Sequence, residues 1–298
     1  MRIATSSISD NVLAQLQRLS SQQADLQNQV ATGQRIFKPS DDPAAAARII
    51  AAQMERANVA QYARNADAAL EYSKTSYSGL EQFKKLSDRA GELAVLGTGN
   101  LGASAMQAYA AEVDQLLEQA VTSGNTRLRN DYIFGGTATD TPPYTLTRDV
   151  DGKITAVAYA GDTGRVSVPL ADGSSIQPTP DAATNSGIAA FMNQLVALRD
   201  ALNAGDTNAT QATRDDFNDS ENLIVSALSE HGAVQLRIEV AQTQQRSRLD
   251  GIETQISADA DADITSTIVR LNQTTQAYEA ALSSGASMLK MSLLDYLR

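Results

Sequence analysis

Four groups of residues have types and spacings that could carry chemistry. The run Gly97-Thr98-Gly99-Asn100-Leu101-Gly102 fits G-x-G-x-x-G, the glycine turn that lets backbone approach a dinucleotide pyrophosphate, and would make the chain a nucleotide-dependent oxidoreductase. That chemistry needs a strand feeding the turn. Leu80, Phe83, Leu86, Ala90 and Leu93 recur instead at the 3- and 4-residue steps of a helix, so the glycines read as a helix-to-helix turn and the cofactor reading is the remote alternative.

Asp259, Asp261 and Asp263 alternate like the start of a calcium loop. Ile264 stands where that loop needs glycine and Arg270 where it needs a bidentate glutamate, so the three carboxylates are better read as caps for a helix start. Asp41 and Asp42 are adjacent, point differently and have no histidine nearby. Asp42 as N-cap, Pro43 at the first helical position and Ala44 to Ala47 after it form a strong helix start. The one histidine, His231, falls in a polar helical stretch and is expected to be exposed. With no cysteine in the chain, His-centred triads and multi-His metal sites lack raw material. No catalytic residue, metal site or cofactor is expected.

The elements around these groups follow from proline. Pro142, Pro143, Pro169, Pro178 and Pro180 crowd one stretch, while Pro39 and Pro43 flank a turn. Proline inside a helix costs about 3 kcal/mol, so long helices are expected in 1–38, 44–141 and 181–298. Between 130 and 182 lie short β-prone runs, Tyr132–Phe134, Tyr144–Thr147, Ile154–Tyr159 and Arg165–Val168. Asp151-Gly152 suits a type I′ hairpin, and Gly161, Gly164 and Gly173 offer further φ > 0 positions.

Both chain ends carry a seam of heptad type. Val12, Leu16, Leu19, Gln23, Leu26 and Val30 alternate steps of 4 and 3, and Ile264, Ile268, Leu271, Thr275, Tyr278 and Leu282 repeat the device before Ala286, Leu289, Leu293 and Tyr296. Little globular sequence lies beyond either, so the terminal helices need each other or neighbouring subunits. Other helical faces are Val113, Leu116 and Ala120; Ile188, Phe191, Leu195, Leu198 and Leu202; and a long segment with Leu223, Ile224, Ala227, Leu228 and Leu236. The expected fold is mainly α: an elongated helical bundle or coiled coil from both chain ends with a small central β insertion. Its expected divisions are 1–42 with 259–298, a helical rod of 43–129 with 183–258, and an outer β-rich part at 130–182.

Composition agrees. Of 298 residues 42% are hydrophobic but only 5% aromatic, with no Trp, which suits long helices better than a dense enzyme interior. Asp and Glu number 35 against 24 Lys and Arg, a net charge of −11 that argues against a nucleic-acid partner. The absence of any apolar run of about 18 residues argues against a membrane span. Without cysteine, stability outside a cell must come from packing or assembly.

The string Val30 to Ile49, VATGQRIFKPSDDPAAAARI, resembles the motif of bacterial flagellins and their relatives: small-Thr-Gly, a basic pair, a turn, Ser-Asp-Asp, then small residues. The opening MRIATSS, the Pro39-to-Pro43 turn, DYIFGGTATDTPPY at 131–144 and the ending MSLLDYLR are similar to the branch of that superfamily found at the hook-filament junction, with filament flagellin as the alternative. The resemblance implies chain ends paired in an inner helical layer, adjoining helices in a rod and the middle of the chain outside. It implies a structural subunit that self-associates in a ring or tube, contacts a second junction protein and flagellin, and meets an export chaperone around Ile264–Leu293. It also implies passage through the type III export channel without a cleaved signal peptide, to an extracellular place in the flagellum. The motif turn is carried by Thr32, Gly33, Arg35, Ser40, Asp41, Asp42 and Pro43. The assembly seam falls on Val12, Leu16, Leu19, Leu26, Val30, Ile264, Ile268, Leu271, Tyr278, Leu282, Leu289 and Leu293.

Overall fold

The computed structural model describes residues 2–99 and 102–296, and the side chains of 10–99 and 102–287. The described residues form helices α1 (Arg2–Thr32), α2 (Pro43–Gly97), α3 (Ala103–Gly124), α4 (Ala182–Ala204), α5 (Thr207–Ala260) and α6 (Ile264–Tyr296). Between α3 and α4 lie three two-stranded antiparallel sheets: β1 (Arg127–Leu128) with β2 (Asp131–Tyr132), β3 (Tyr144–Arg148) with β4 (Ile154–Tyr159), and β5 (Val168–Ala171) with β6 (Ser174–Ile176). The fold is mainly α with small central sheets. Among the described residues no helix is long and apolar enough to cross a membrane.

The chain divides into two compact units, residues 1–57 with 249–298 and residues 58–248. The divisions fall inside α2 and α5, not at the turns beside Asp42 and Asp259.

In the unit of residues 58–248, the large apolar residues of the three helical patterns form one core. Leu80, Phe83, Leu86 and Leu93 of α2, Val113, Leu116 and Ala120 of α3, and Ile188, Phe191, Leu195, Leu198 and Leu202 of α4 are all buried. Phe83 meets Phe134 edge-on with centroids 5.8 Å apart, and a Cβ at Gly79 would lie 2.7 Å from that ring, so glycine there admits the aromatic. Tyr144, Ile154 and Val157 of the β3–β4 hairpin enter the same core. Two-stranded sheets this short are not stable alone, which explains why the hairpins share the helices' core. The Tyr144 hydroxyl donates to the Asn185 carbonyl at 2.9 Å. Buried Arg199 pairs with Asp114 at 3.1 Å and donates to the Ile154 carbonyl at 2.7 Å, joining α3, α4 and β4.

The β turns differ from expectation. A type I′ turn needs φ > 0 at both central residues, but only Gly152 has it, at +83°. The Asp149 carboxylate instead accepts from the amides of Asp151 at 3.0 Å and Lys153 at 2.8 Å, giving a longer Asx-supported loop with a register shift at Thr147/Arg148. Positive φ occurs at Gly136 and Gly173, not at Gly161 or Gly164.

His231 is not exposed; it is buried in α5. Its neighbours Ile224, Ala227, Val234 and Ile238 are buried too, and they place His231 on the same 3- and 4-residue rhythm. Polar residues on the other faces of α5 disguised that rhythm.

Candidate assembly site

The unit of residues 1–57 and 249–298 brings the two chain ends together, with α1 and α6 packed antiparallel. Gln23 Nε2 donates to Thr275 Oγ1 at 3.3 Å, and a Cβ on Gly285 would lie 3.1 Å from Val12 Cγ1. On α1 the predicted seam faces inward: Leu26 is buried and Val12, Leu16, Leu19 and Val30 are half-buried. On α6 the least exposed positions include Thr267, Leu271, Thr274, Thr275, Tyr278, Ala281 and Gly285, a rhythm that shares Leu271, Thr275 and Tyr278 with the predicted one. Ile264, Ile268 and Leu282 are exposed, and Leu289 and Leu293 lie outside the described side chains. Apolarity pointed to the larger residues. Close approach favours the smaller ones, since Gly285 and Ala281 let α1 come nearer.

The other end of this unit is a corner where the turn after α1 meets the turn before α6. The amide of Gly33, at φ +75°, donates to the Gln29 carbonyl at 2.9 Å and ends α1 in a left-handed conformation that glycine adopts without strain. Thr32 Oγ1 donates to the Asn28 carbonyl at 2.8 Å. Beyond it Gln34 pairs with Asp261 in an antiparallel bridge: the Arg35 amide donates to the Ala260 carbonyl at 2.6 Å and the Ala262 amide to that of Gly33 at 2.8 Å.

Four acids organise this corner. The Asp41 carboxylate accepts from the amides of Phe37 at 3.0 Å and Lys38 at 2.9 Å, folding the loop back on itself. Asp42 caps α2 by accepting from the Ala45 amide at 3.0 Å, with Pro43 first in the helix and Ser40 exposed beside it. Asp263 caps α6 through the Thr265 amide at 3.0 Å. Asp259 takes a two-pronged pair from Arg48, Nε at 3.0 Å and Nη2 at 2.5 Å, while Arg35 reaches the Asp259 carbonyl at 2.8 Å and Asp42 at 3.4 Å.

The backbone amides of Lys38 and Phe37 lower the Asp41 pKa, the Ala45 amide and then Arg35 lower that of Asp42, and Arg48 lowers that of Asp259. The Asp259 carboxylate is thus taken by Arg48, that of Asp261 by the Ser257 hydroxyl and that of Asp263 by the α6 cap, and no metal-holding group occurs among the described residues. The glycine loop likewise lacks its strand: Gly97 ends the 55-residue helix α2, where any side chain would strike Leu202.

Beside the corner runs a groove of about 260 Å³ whose walls include Ile36, Phe37, Pro39, Ile49, Ile50 and Ile256. Phe37 and Ile50 are exposed, as are Leu13 and Met54 in the same unit. Nothing in their types or spacing marks Leu13, Phe37, Ile50, Met54 or Arg48 in the sequence. Ile49, Ile50 and Met54 lie in an alanine-rich run whose periodicity is too weak to assign a face.

Residues 3–139 match the family described as the bacterial flagellin N-terminal helical region. Flagellar hook-associated protein 3 of Salmonella typhimurium is 26% identical over 321 aligned residues, covering 99% of each chain. That of Escherichia coli is 25% identical over 289, covering 90% of each. The fold is shared with a solved flagellar hook-associated protein from Vibrio parahaemolyticus (TM-score 0.65, 17% identity, 74% of this chain and 100% of that one). It is also shared with Bacillus cereus FlgL (TM-score 0.60, 23% identity, 70% and 99%).

Proposed function

Because the chain is a homologue of flagellar hook-associated protein 3 within the flagellin superfamily, we propose that it is a structural subunit of the bacterial flagellum that joins hook to filament. It has no catalytic role in this reading. The observation that carries its mode of action is the incomplete burial of the terminal unit. Leu13, Ile50, Met54, Ile264, Ile268, Val269 and Leu282 all meet solvent in a single chain. Apolar side chains on one face of paired helices are stabilised when a neighbouring copy removes them from water, at about 25 cal/mol per Å². The subunit therefore self-associates in a ring or tube through its terminal helices, with a second junction protein on one side and flagellin on the other. An export chaperone holds α6 before assembly, and the chain reaches the flagellum without a cleaved signal peptide. The acidic β region lies outside: residues 130–182 hold seven Asp or Glu against three Lys or Arg.

Deletion of the gene in its host tests this reading. Hooks should persist while flagellin is shed into the medium, and the full-length chain should restore filaments. If deletion removed flagellin itself, the chain would be a filament subunit. Intact filaments in the deletion strain would end both readings.

A further inference from the structure

Outside the assembly site, the least satisfied polar cluster surrounds His231. The ring is 2% exposed, and its Nδ1 has no hydrogen-bond partner in the chain. Arg165 Nε, Thr179 Oγ1 and Ser76 Oγ are buried and equally without partners. Gln235 Nε2 donates to the Ser73 carbonyl and Gln242 Nε2 to Asp67, a register that brings Ser76 level with His231.

The segment 161–181, which contains β5 and β6, is strapped to α2 and α5. Leu170 and Ile176 pack with Ala66, Ala69, Val234 and Ile238. Asn65 and Gln245 donate to the carbonyls of Pro169 at 3.0 Å and Leu170 at 2.8 Å. At the His231 end the fastening is ionic: Arg165 Nη2 donates to the Thr179 carbonyl at 3.0 Å and pairs with Glu230 at 3.3 Å.

The charged groups acting on the imidazole are Arg165 from the strap, Asp181 at the start of α4, and Glu230 on α5 itself. From α2 the buried groups at this level are the hydroxyls of Ser73 and Ser76. Asp181 is already engaged in capping α4 through the Thr184 amide at 2.8 Å. Glu230 is therefore the carboxylate that can change partner.

We propose that His231 is a proton-operated latch: when its ring takes up a proton, Glu230 turns from Arg165 to the imidazolium and the strap 161–181 lifts from α5. No bond is made or broken beyond the transfer of one proton from solvent to the ring. Burial lowers the ring's pKa, Arg165 pushes the same way, and Glu230 and Asp181 oppose them. The sign follows from linkage. A base whose pKa is lower in the closed form than its ordinary 6.5 binds protons better when open, so closure is fully favoured above pH 6.5 and weakens as pH falls through the lowered value.

His231 is the chain's one histidine, so a single imidazole signal reports its state in the full-length protein. The test is a titration by NMR from pH 8 to 4.5, with amide exchange measured in parallel and corrected for its intrinsic pH dependence. The imidazole should titrate below 6.5. Amides of β5 and β6 should exchange severalfold faster at pH 5 than at pH 7.5. Amides around Leu117 and Leu195 should not change, and His231→Gln should abolish the pH response of the strap. The proposal is overturned if the wild-type ring titrates while the strap stays protected. It also fails if strap and core amides accelerate together, or if His231→Gln retains the response.

Discussion

The two compact units are built from the same helix-rich sequence, and both leave some apolar side chains in solvent, but they differ in how much apolar interior they make. Residues 58–248 bury Phe83, Phe134, Phe191, Phe217 and Tyr144 in the interior. Among the described residues, the unit of 1–57 and 249–298 buries Leu26 and Ile252 and a few alanines, and leaves Phe37, Ile50, Met54 and Ile268 to solvent. One unit carries its own stability. The other has the surface of a part that is finished by something else, and the difference teaches that helical periodicity alone does not tell a core from an interface.

The largest test of that contrast is a pair of truncations. Phe191→Ala, fully buried against Phe217 at 6.0 Å, should cost about 3–5 kcal/mol in urea unfolding of the free chain. Leu26→Ala, in a seam of only two helices, should cost about 2 kcal/mol there, the low end for a buried leucine, yet impair filament attachment more. Equal losses in the free chain would dissolve the distinction between the units. Gly33→Ala comes next. No atom crowds a Cβ at that position, so the cost, about 1–2 kcal/mol, is that of φ +75° in a residue with a side chain. Circular dichroism melting should show it in the terminal unit and not in the β-bearing one.

Ser76→Ala has the opposite sign. It removes a buried, unpartnered hydroxyl from α2 and puts a better helix former there, so stability should rise by about 0.5–1 kcal/mol. A loss would mean that the hydroxyl has a partner.

The smallest effect is acid loosening of the corner. Asp41, Asp42 and Asp259 have pKa values lowered from an ordinary 3.8, so their contribution is present above that value and disappears as pH falls through the lowered ones. All three are solvent-accessible, so salt should screen much of the effect. Exchange at the Phe37, Lys38 and Ala45 amides should quicken below about pH 4 before the core amides around Leu117 and Leu195 respond. Simultaneous release would show that the two units melt as one.

These contrasts also explain what could be read from the sequence. Leu80, Phe83, Leu93, Phe191 and Leu195 were legible as core because large residues at helical spacing have one place to go. Asp42 and Pro43 were legible because a cap acts within its own turn. Asp259 was not legible as the partner of Arg48, which stands 211 residues away in the chain. On the inward face of α6, Leu271, Thr275 and Tyr278 were legible but Thr267, Thr274 and Gly285 were not, because these matter for how closely a neighbour approaches rather than for how strongly they avoid water. His231 is hard to read as a core residue because the polar residues around it in α5 mask the 3- and 4-residue rhythm it shares with Ile224, Ala227, Val234 and Ile238.

The bridge between Gln34 and Asp261 has a consequence for the order of folding. Arg35 meets the Asp259 carbonyl across 224 residues, and Gln23 meets Thr275 across 252. Closing so long a loop costs chain entropy before any contact compensates, whereas the β3–β4 hairpin closes over a handful of residues. The corner is thus a late event, reached only once both termini exist. A polypeptide interrupted before Asp259 has no means of forming it, however well its middle has folded, so the meeting of the two segments marks a chain that extends through at least Ala262.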